Sequence, residues 1–256
     1  MTDLTPLDQA QILADQTGRD EDRLAFWNSL AEAELTLLLA DEGGEDGTIS
    51  PALFEVDGAS YGLAFDLPER LTAFSGQTSA TATLSGRQLA RLLAAEGLGL
   101  GLNLDAAPSA QLLPPESIVW LSDTLARGPD EAERSIAEVT GPGALPESLL
   151  SALDGKLALT AGLAEVAYLA QVTYDDGTRS HVLVFIDPVP GAEADLARAM
   201  SEALIFSGVP AGQLDVLFLQ ANQAKSAVFA RHGLRIDLPK PDVPVKPIET
   251  APPKLR

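Results

Sequence analysis

Residues 166–219 constrain the fold of this chain more than any other stretch. Two apolar runs rich in β-branched and aromatic residues, 167–172 and 182–186, flank an Asp-Asp-Gly-Thr segment. An Asp-Gly pair between two such runs is typical of a β-hairpin, because a type I′ turn needs positive φ at both central residues. Apolar residues at helical spacing follow, and a further apolar run covers 214–219. Strand, turn, strand, helix and strand in this order indicate a helix packed on a sheet.

Elements of the same kinds are predicted in the N-terminal half. The sequence predicts a short helix over 8–15, a longer one over 23–34, and a buried strand over 35–40. A hairpin is expected within 53–65, and a helix capped by serine is expected over 86–96. We therefore expect an α+β (mixed α/β) protein with two small domains, each a mixed or antiparallel sheet packed with helices.

Changes in composition suggest where the domains begin and end. Glycine and proline concentrate in 128–144, around a predicted short acidic helix, and this segment is interpreted as a linker. The N-terminal domain is then residues 1–127, and the C-terminal domain is residues 145–238. Residues 239–256 contain six prolines and carry a slight excess of basic residues. This tail is expected to be extended and polyproline-like, either free or docked on its own domain or a neighbour.

The charge and composition of the chain narrow the classes of function. The formal net charge is −20, which repels phosphate backbones and anionic lipid surfaces, so neither nucleic-acid nor membrane binding is expected. The absence of cysteine excludes disulfides and thiolate catalysis. The N-terminus lacks the basic and apolar regions of a signal peptide, and no apolar run approaches the length of a membrane span. A cytoplasmic location is expected.

The sequence predicts no catalytic, cofactor-binding or metal-binding residues. His181 and His232 stand at unrelated spacing, whereas a metal or catalytic site needs several such groups together. The glycine-rich segment 97–101 follows a predicted helix and is itself strand-like, so it does not fit a phosphate-binding loop. Its glycines are interpreted as positions of close packing.

Three residues form a candidate site for an anion or another small ligand. Arg70 and Arg87 stand out because cations are scarce in this chain, and Arg87 lies near a predicted helix N-terminus. Asn103 follows the glycine-rich strand. If these residues bind a ligand, their side chains should meet in one cleft within about one ligand's width. The alternative is that the arginines pair with some of the many carboxylates.

Several segments resemble the SseB family, the bacterial enhanced serine sensitivity proteins. The resemblance covers roughly residues 23–237, and residues 166–219 are similar to the family's C-terminal domain. Asp66 and Leu67 depart from the family pattern, which has a small polar pair there. The N-terminal similarity is found in residues 23–40, 61–65 (Tyr-Gly-Leu-Ala-Phe), 69–71 (Glu-Arg-Leu), 85–89 (Ser-Gly-Arg-Gln-Leu) and 99–103 (Gly-Leu-Gly-Leu-Asn).

The resemblance implies a cytoplasmic bacterial protein linked to serine tolerance, and it implies no catalytic residues. Together with the sequence patterns, it favours a non-catalytic binding or regulatory module whose partner is a protein or a small metabolite. The alternative is a sensor or enzyme with a site near Arg70, Arg87 and Asn103. A homodimer built on an exposed sheet edge is a third alternative.

Overall fold

The computed structural model describes residues 4–41, 49–77, 79–128, 132–209 and 214–240. Contacts between residues divide the chain into two compact units, and helices at the boundary are shared between them. The first unit comprises Met1–Glu133, Ala144–Asp154 and Ala197–Leu214. The second comprises Arg134–Gly143, Gly155–Leu196 and Asp215–Arg256. The domain boundaries expected from the sequence stay a prediction.

The first unit contains a mixed sheet and helices α1 to α5. The helices are α1 (Pro6–Thr17), α2 (Asp20–Glu32), α3 (Pro68–Ser75), α4 (Gly86–Ala95) and α5 (Pro115–Ala126). The strands are β1 (Glu34–Leu38), β2 (Leu53–Val56), β3 (Ala59–Phe65), β4 (Thr81–Ser85), β5 (Gly99–Leu102) and β6 (Gln111–Leu113). The sheet order is β4-β1-β3-β5-β6, with β2 also paired to β3. The β3–β5 pair is parallel, so the carboxyl ends of these two strands meet at one edge of the sheet.

Local sequence explains where the key helices begin. Thr5 caps α1, because its side chain accepts a hydrogen bond from the Asp8 amide while the Asp8 carboxylate accepts one from the Thr5 amide. Ser85 and Gln88 form the same reciprocal arrangement at the start of α4. Gly18 ends α1 in the left-handed conformation. The Thr5 and Ser85 caps fix the starts of α1, which carries Asp8, and of α4, which carries Arg87.

Leucine dominates the main core of the first unit. Helices α1, α2, α4 and α5 contribute to this core together with strands β1, β3, β5 and β6. A smaller cluster of Leu63, Phe65 and Leu71 contains residues of β3 and α3. The fully buried side chains of the main core include Leu30, Leu35, Leu37, Leu89, Leu93, Leu102, Ile118 and Leu121.

The second unit is built on the predicted hairpin. Its elements, including two helices that extend into the first unit, are β7 (Ile136–Thr140), α6 (Glu147–Ala158), β8 (Val166–Tyr174), β9 (Arg179–Ile186), α7 (Glu193–Phe206), β10 (Leu214–Leu219), α8 (Ala224–His232) and β11 (Leu234–Asp237). The sheet order is β10-β9-β8-β11, and β7 pairs with β8. The two sheets with their helices confirm the α+β class.

Two details of the sequence interpretation change. Gly177 has positive φ but Asp176 does not, so the β8–β9 connection is not a type I′ turn. A type I′ pair instead joins β2 to β3, where Asp57 and Gly58 both have positive φ. The predicted acidic helix within 128–144 is wrong, because Ile136–Thr140 forms strand β7, although residues 129–131 lie outside the described ranges.

Candidate functional site

Arg70 lies in a buried ionic network at the carboxyl edge of the parallel β3–β5 pair. Its guanidinium donates to the Asp8 carboxylate at 2.5 and 3.2 Å and to the Asp66 carboxylate at 2.8 and 3.1 Å. The Arg70 side chain is only 7% exposed, and those of Asp8 and Asp66 are 0% and 5% exposed. Asp66 follows β3 directly and supplies one of the two carboxylates that bind Arg70. It is also one of the two residues at which this sequence departs from the SseB pattern.

Asn103 belongs to the same network. It follows β5 with φ of 47°, and its side-chain oxygen accepts a hydrogen bond from the Asp66 amide at 3.0 Å. Its side-chain nitrogen donates to the Ser109 hydroxyl at 2.8 Å, and that hydroxyl donates to Asp8 at 2.6 Å. The network therefore joins α1, α3 and the segments that follow β3 and β5.

The Asp8 carboxyl is held in its ionised form. Burial opposes ionisation, but hydrogen bonds from Arg70, Ser109 and Thr5 outweigh it and lower the pKa of Asp8 to about 2. The neighbouring Thr5 hydroxyl donates to Asp66 at 2.6 Å. The Asp8 carboxylate, in the first turn of α1, thus occupies the position at the Arg70 guanidinium that an anionic ligand would need.

Arg87 has a different partner. At the start of α4 its guanidinium donates to both carboxylate oxygens of Glu202, at 2.8 and 2.9 Å. The Glu202 side chain is 4% exposed, and hydrogen bonding to it raises the pKa of Arg87. The structure thus brings Arg70 and Asn103 together and places Arg87 in a separate bidentate pair. Ligand binding by these residues stays a prediction.

The chain's two tryptophans meet on the surface of the first unit. Their rings pack edge to face with centroids 5.4 Å apart, which joins α2 to α5. Trp27 is half-buried against the core, and Trp120 is 39% exposed. They line an open cleft of about 420 Å³, which we call the tryptophan cleft. Its lining residues are Asp20, Arg23, Leu24, Trp27, Glu116, Ser117 and Trp120.

Helical spacing creates this cleft. Asp20, Arg23, Leu24 and Trp27 stand at positions i, i+3, i+4 and i+7 of α2, so they share one helix face. On α5, Glu116 and Trp120 are separated by four positions. The two faces therefore place indoles and carboxylates on the same cleft.

A second hollow of about 340 Å³ adjoins the tryptophan cleft. The two share Arg23 and Trp27, and the second hollow adds Gln11 and Asp15 of α1 and Gln111 of β6. The Gln111 side chain donates to that of Gln11, which ties α1 to β6 at the hollow. The cleft and the hollow are neighbouring depressions lined by residues of α1, α2, α5 and β6, and we call the pair the tryptophan groove.

Sequence reasoning did not find this groove. The predicted helix over 23–34 contains Leu24 and Trp27, but no sequence motif marked either tryptophan as a ligand-binding residue. The available signal was the presence of two tryptophans, each four positions from a charged residue on a predicted helix. That both indoles remain partly uncovered could be seen only in the fold.

The other residues considered from the sequence have structural contacts. The His181 ring nitrogen Nε2 lies 2.9 Å from the Pro142 carbonyl oxygen. A Cβ on Gly99 would lie 2.4 Å from the Tyr61 ring, and one on Gly101 would lie 2.9 Å from Leu63. This confirms that the glycine-rich strand is a site of close packing. Within the described ranges, no cluster of histidine and acidic side chains could hold a metal ion.

The fold and the groove define the first unit as a small α+β domain with an aromatic surface cleft. Residues 7–120 match the family model described as the SseB protein N-terminal domain. The match contains both tryptophans and the Asp8–Arg70 network. Searches of curated proteins and of solved structures found no match to the chain. Among the helices of the described segments, none has the length and apolar character that a membrane crossing requires.

Proposed function

We propose that this protein is a non-catalytic binding module linked to serine tolerance and that the tryptophan cleft is its binding surface. One observation carries the proposal: Trp27 and Trp120 meet in the wall of a cleft although neither is fully buried. Tryptophan provides a large apolar surface with one polar group, which suits it to binding sites that exchange water for a ligand. A volume of about 420 Å³ lies within the usual range of ligand sites.

The state of the buried charges supports a binding role over catalysis. Asp8 is a fully buried carboxyl held in its charged form, and it accepts hydrogen bonds from Arg70, Ser109 and Thr5. A general base works best with a pKa near the operating pH and with access to substrate. A carboxylate with a pKa of about 2 and no exposed surface meets neither need, so this network is better suited to holding the fold.

The link to serine tolerance rests on the SseB domain and can be tested in cells. In a bacterial host that lacks this protein and grows poorly in excess serine, the wild-type chain should restore growth and Trp120→Ala should not. Val119→Ala is the matched control, because Val119 is a similarly exposed neighbour on α5 that does not line the cleft. Equal rescue by all three chains would contradict the proposal.

A direct binding screen tests the cleft itself. Amino acids and other small metabolites, both cationic and anionic, are added to the full chain while melting temperature and tryptophan emission are recorded together. A ligand of the native state raises the melting temperature. Since both tryptophans line the cleft, the same ligand should also shift the emission, and Trp120→Ala should weaken both effects. A ligand that raises the melting temperature equally in wild type and Trp120→Ala, with unchanged emission, would show that the binding surface lies elsewhere.

A further inference from the structure

The tryptophan groove has an uneven charge. Its lining includes three exposed carboxylates, Asp15, Asp20 and Glu116, and one guanidinium, that of Arg23. Arg23 is itself bound to Asp20 at 3.1 Å, which neutralises one of those carboxylates. The chain as a whole carries a formal charge of −20. The potential at the groove therefore favours a cationic partner.

The apolar part of the groove favours the same partner. The faces of Trp27 and Trp120 carry negative partial charge, and tryptophan is the aromatic side chain that attracts lysine and arginine cations most strongly. Glu116 lies one helical turn from Trp120 on α5, so a cation over that indole would also be close to a carboxylate. An anionic ligand would be repelled both by the carboxylates of the groove and by the negative faces of the indoles.

The shape of the groove points to a chain rather than a single small molecule. Its two hollows, of about 420 and 340 Å³, lie next to each other and share Arg23 and Trp27 in their linings. An extended peptide projects alternate side chains to the same side, so successive basic side chains can occupy successive hollows.

We infer that the tryptophan groove binds a basic, extended peptide segment of a partner protein, with lysine or arginine side chains over the indoles and beside Glu116. This inference rests on the proposed function, since it names the partner of the same cleft. The contacts are partly exposed and electrostatic, so binding should be fast and sensitive to salt.

The test uses the full chain and a fluorescein-labelled peptide of about eight residues, in which arginine alternates with serine. Fluorescence anisotropy gives the affinity. The expected result is saturable binding that weakens at least tenfold when salt rises from about 0.05 M to about 0.5 M. A twin peptide with glutamate in place of every arginine should not bind. Free arginine amide, offered as a competitor, should displace the labelled peptide only at far higher concentration than the unlabelled peptide.

Matched variants locate the binding site. Glu116→Gln should weaken peptide binding several-fold, whereas Asp123→Asn should leave it unchanged, because Asp123 is a carboxylate of the same helix outside the groove. Trp120→Ala should weaken binding about tenfold or more. Val119→Ala should bind as wild type. Glu116→Gln alters only an exposed side chain, so the test does not depend on how Trp120→Ala folds.

Three outcomes would overturn the inference. The first is equal binding of the arginine and glutamate peptides, or of neither. The second is equal weakening by Glu116→Gln and Asp123→Asn. The third is displacement by free arginine amide and by the unlabelled peptide at similar concentrations. If another compound still shifts tryptophan emission in the metabolite screen, the proposed function stands while the peptide inference fails.

Discussion

The carboxylate of Asp8 lies 2.5 Å from the guanidinium of Arg70, and this pair connects two helices of the first unit deep beneath the surface. Asp66 binds the same guanidinium from the end of β3. Two carboxylates and one guanidinium are thus removed from water together. Buried charges of this kind are tolerated only while each has its partner, which makes the stability of the first unit depend on Arg70.

Replacing Arg70 should therefore destabilise the protein strongly. Arg70→Met leaves the Asp8 and Asp66 carboxylates buried without their cation, and we expect a loss of about 3–5 kcal/mol in the free energy of unfolding. Urea denaturation followed by circular dichroism measures this loss. Arg23→Met is the control: Arg23 pairs with Asp20 at the surface, so its loss should cost at most about 1 kcal/mol. Similar losses for the two variants would contradict this role of the network.

The same network predicts how stability depends on pH. The pKa of Asp8 falls from 3.8 to about 2 on folding. A lowered folded-state pKa stabilises the protein fully above pH 3.8, and this contribution is lost as the pH falls towards 2. By linkage it amounts to roughly 2 kcal/mol.

Asp8→Asn should remove that part of the acid transition. The pKa of Asp176 is also lowered to about 2, so the wild-type curve contains more than one carboxyl. The difference between wild type and Asp8→Asn isolates Asp8. We expect the stability difference between the two proteins to shrink by roughly 2 kcal/mol between pH 5 and pH 2, as measured by urea denaturation at each pH. A difference that stays constant over this range would show that Asp8 does not have the lowered pKa.

The bidentate pair of Arg87 and Glu202 should contribute to stability less than the Asp8–Arg70 network. Arg87→Ala removes two hydrogen bonds from a Glu202 side chain that is 4% exposed, and a loss of about 1–3 kcal/mol is expected. Arg91→Ala is the matched control, because Arg91 is exposed one turn further along α4, and its loss should stay within about 0.5 kcal/mol. Chemical denaturation of both variants measures the difference. Equal losses of unfolding free energy in Arg87→Ala and Arg91→Ala would mean that the Arg87–Glu202 pair adds no net stability.

Two glycine substitutions should have opposite effects. A Cβ on Gly86 would lie 1.7 Å from the Leu30 carbonyl oxygen, so Gly86→Ala must separate α4 from α2 and should cost at least about 2 kcal/mol. Gly155 lies within α6, and a methyl group added there would meet no atom within 4 Å beyond its chain neighbours and the backbone of its own helix, so Gly155→Ala should gain about 0.5–1 kcal/mol. Thermal unfolding measures both. A destabilised Gly155→Ala or an unaffected Gly86→Ala would contradict the packing described for these helices.

Local sequence signals predicted much of the fold. The cap at Ser85 and the turn residues Asp57 and Gly58 act over a few neighbours, and the helix and hairpin that they indicate are present. Strand β4 was not predicted, because its sequence Thr-Ala-Thr-Leu-Ser is largely polar and forms an exposed edge of the sheet. Its β structure depends on pairing with β1, which no local pattern shows.

The candidate sites were less predictable, because each depends on contacts between distant segments. Arg70 and Asn103 were selected as scarce polar groups near a glycine-rich strand, but their partner Asp8 lies in a helix predicted without any functional role. The contact between Trp27 and Trp120 likewise depends on how α2 and α5 pack. Both the predicted homodimer and the docking of the proline-rich tail, which lies mostly outside the described residues, stay predictions.

The most direct measurement of the central claim is the NMR spectrum of the two indole N–H groups. The chain has two tryptophans and both line the cleft, so the two indole signals report on that surface alone. On titration with the arginine peptide, we predict that both signals move and that their shifts saturate at the affinity given by anisotropy. Saturable binding of that peptide with both indole signals unmoved would contradict the assignment of the tryptophan cleft as the binding surface.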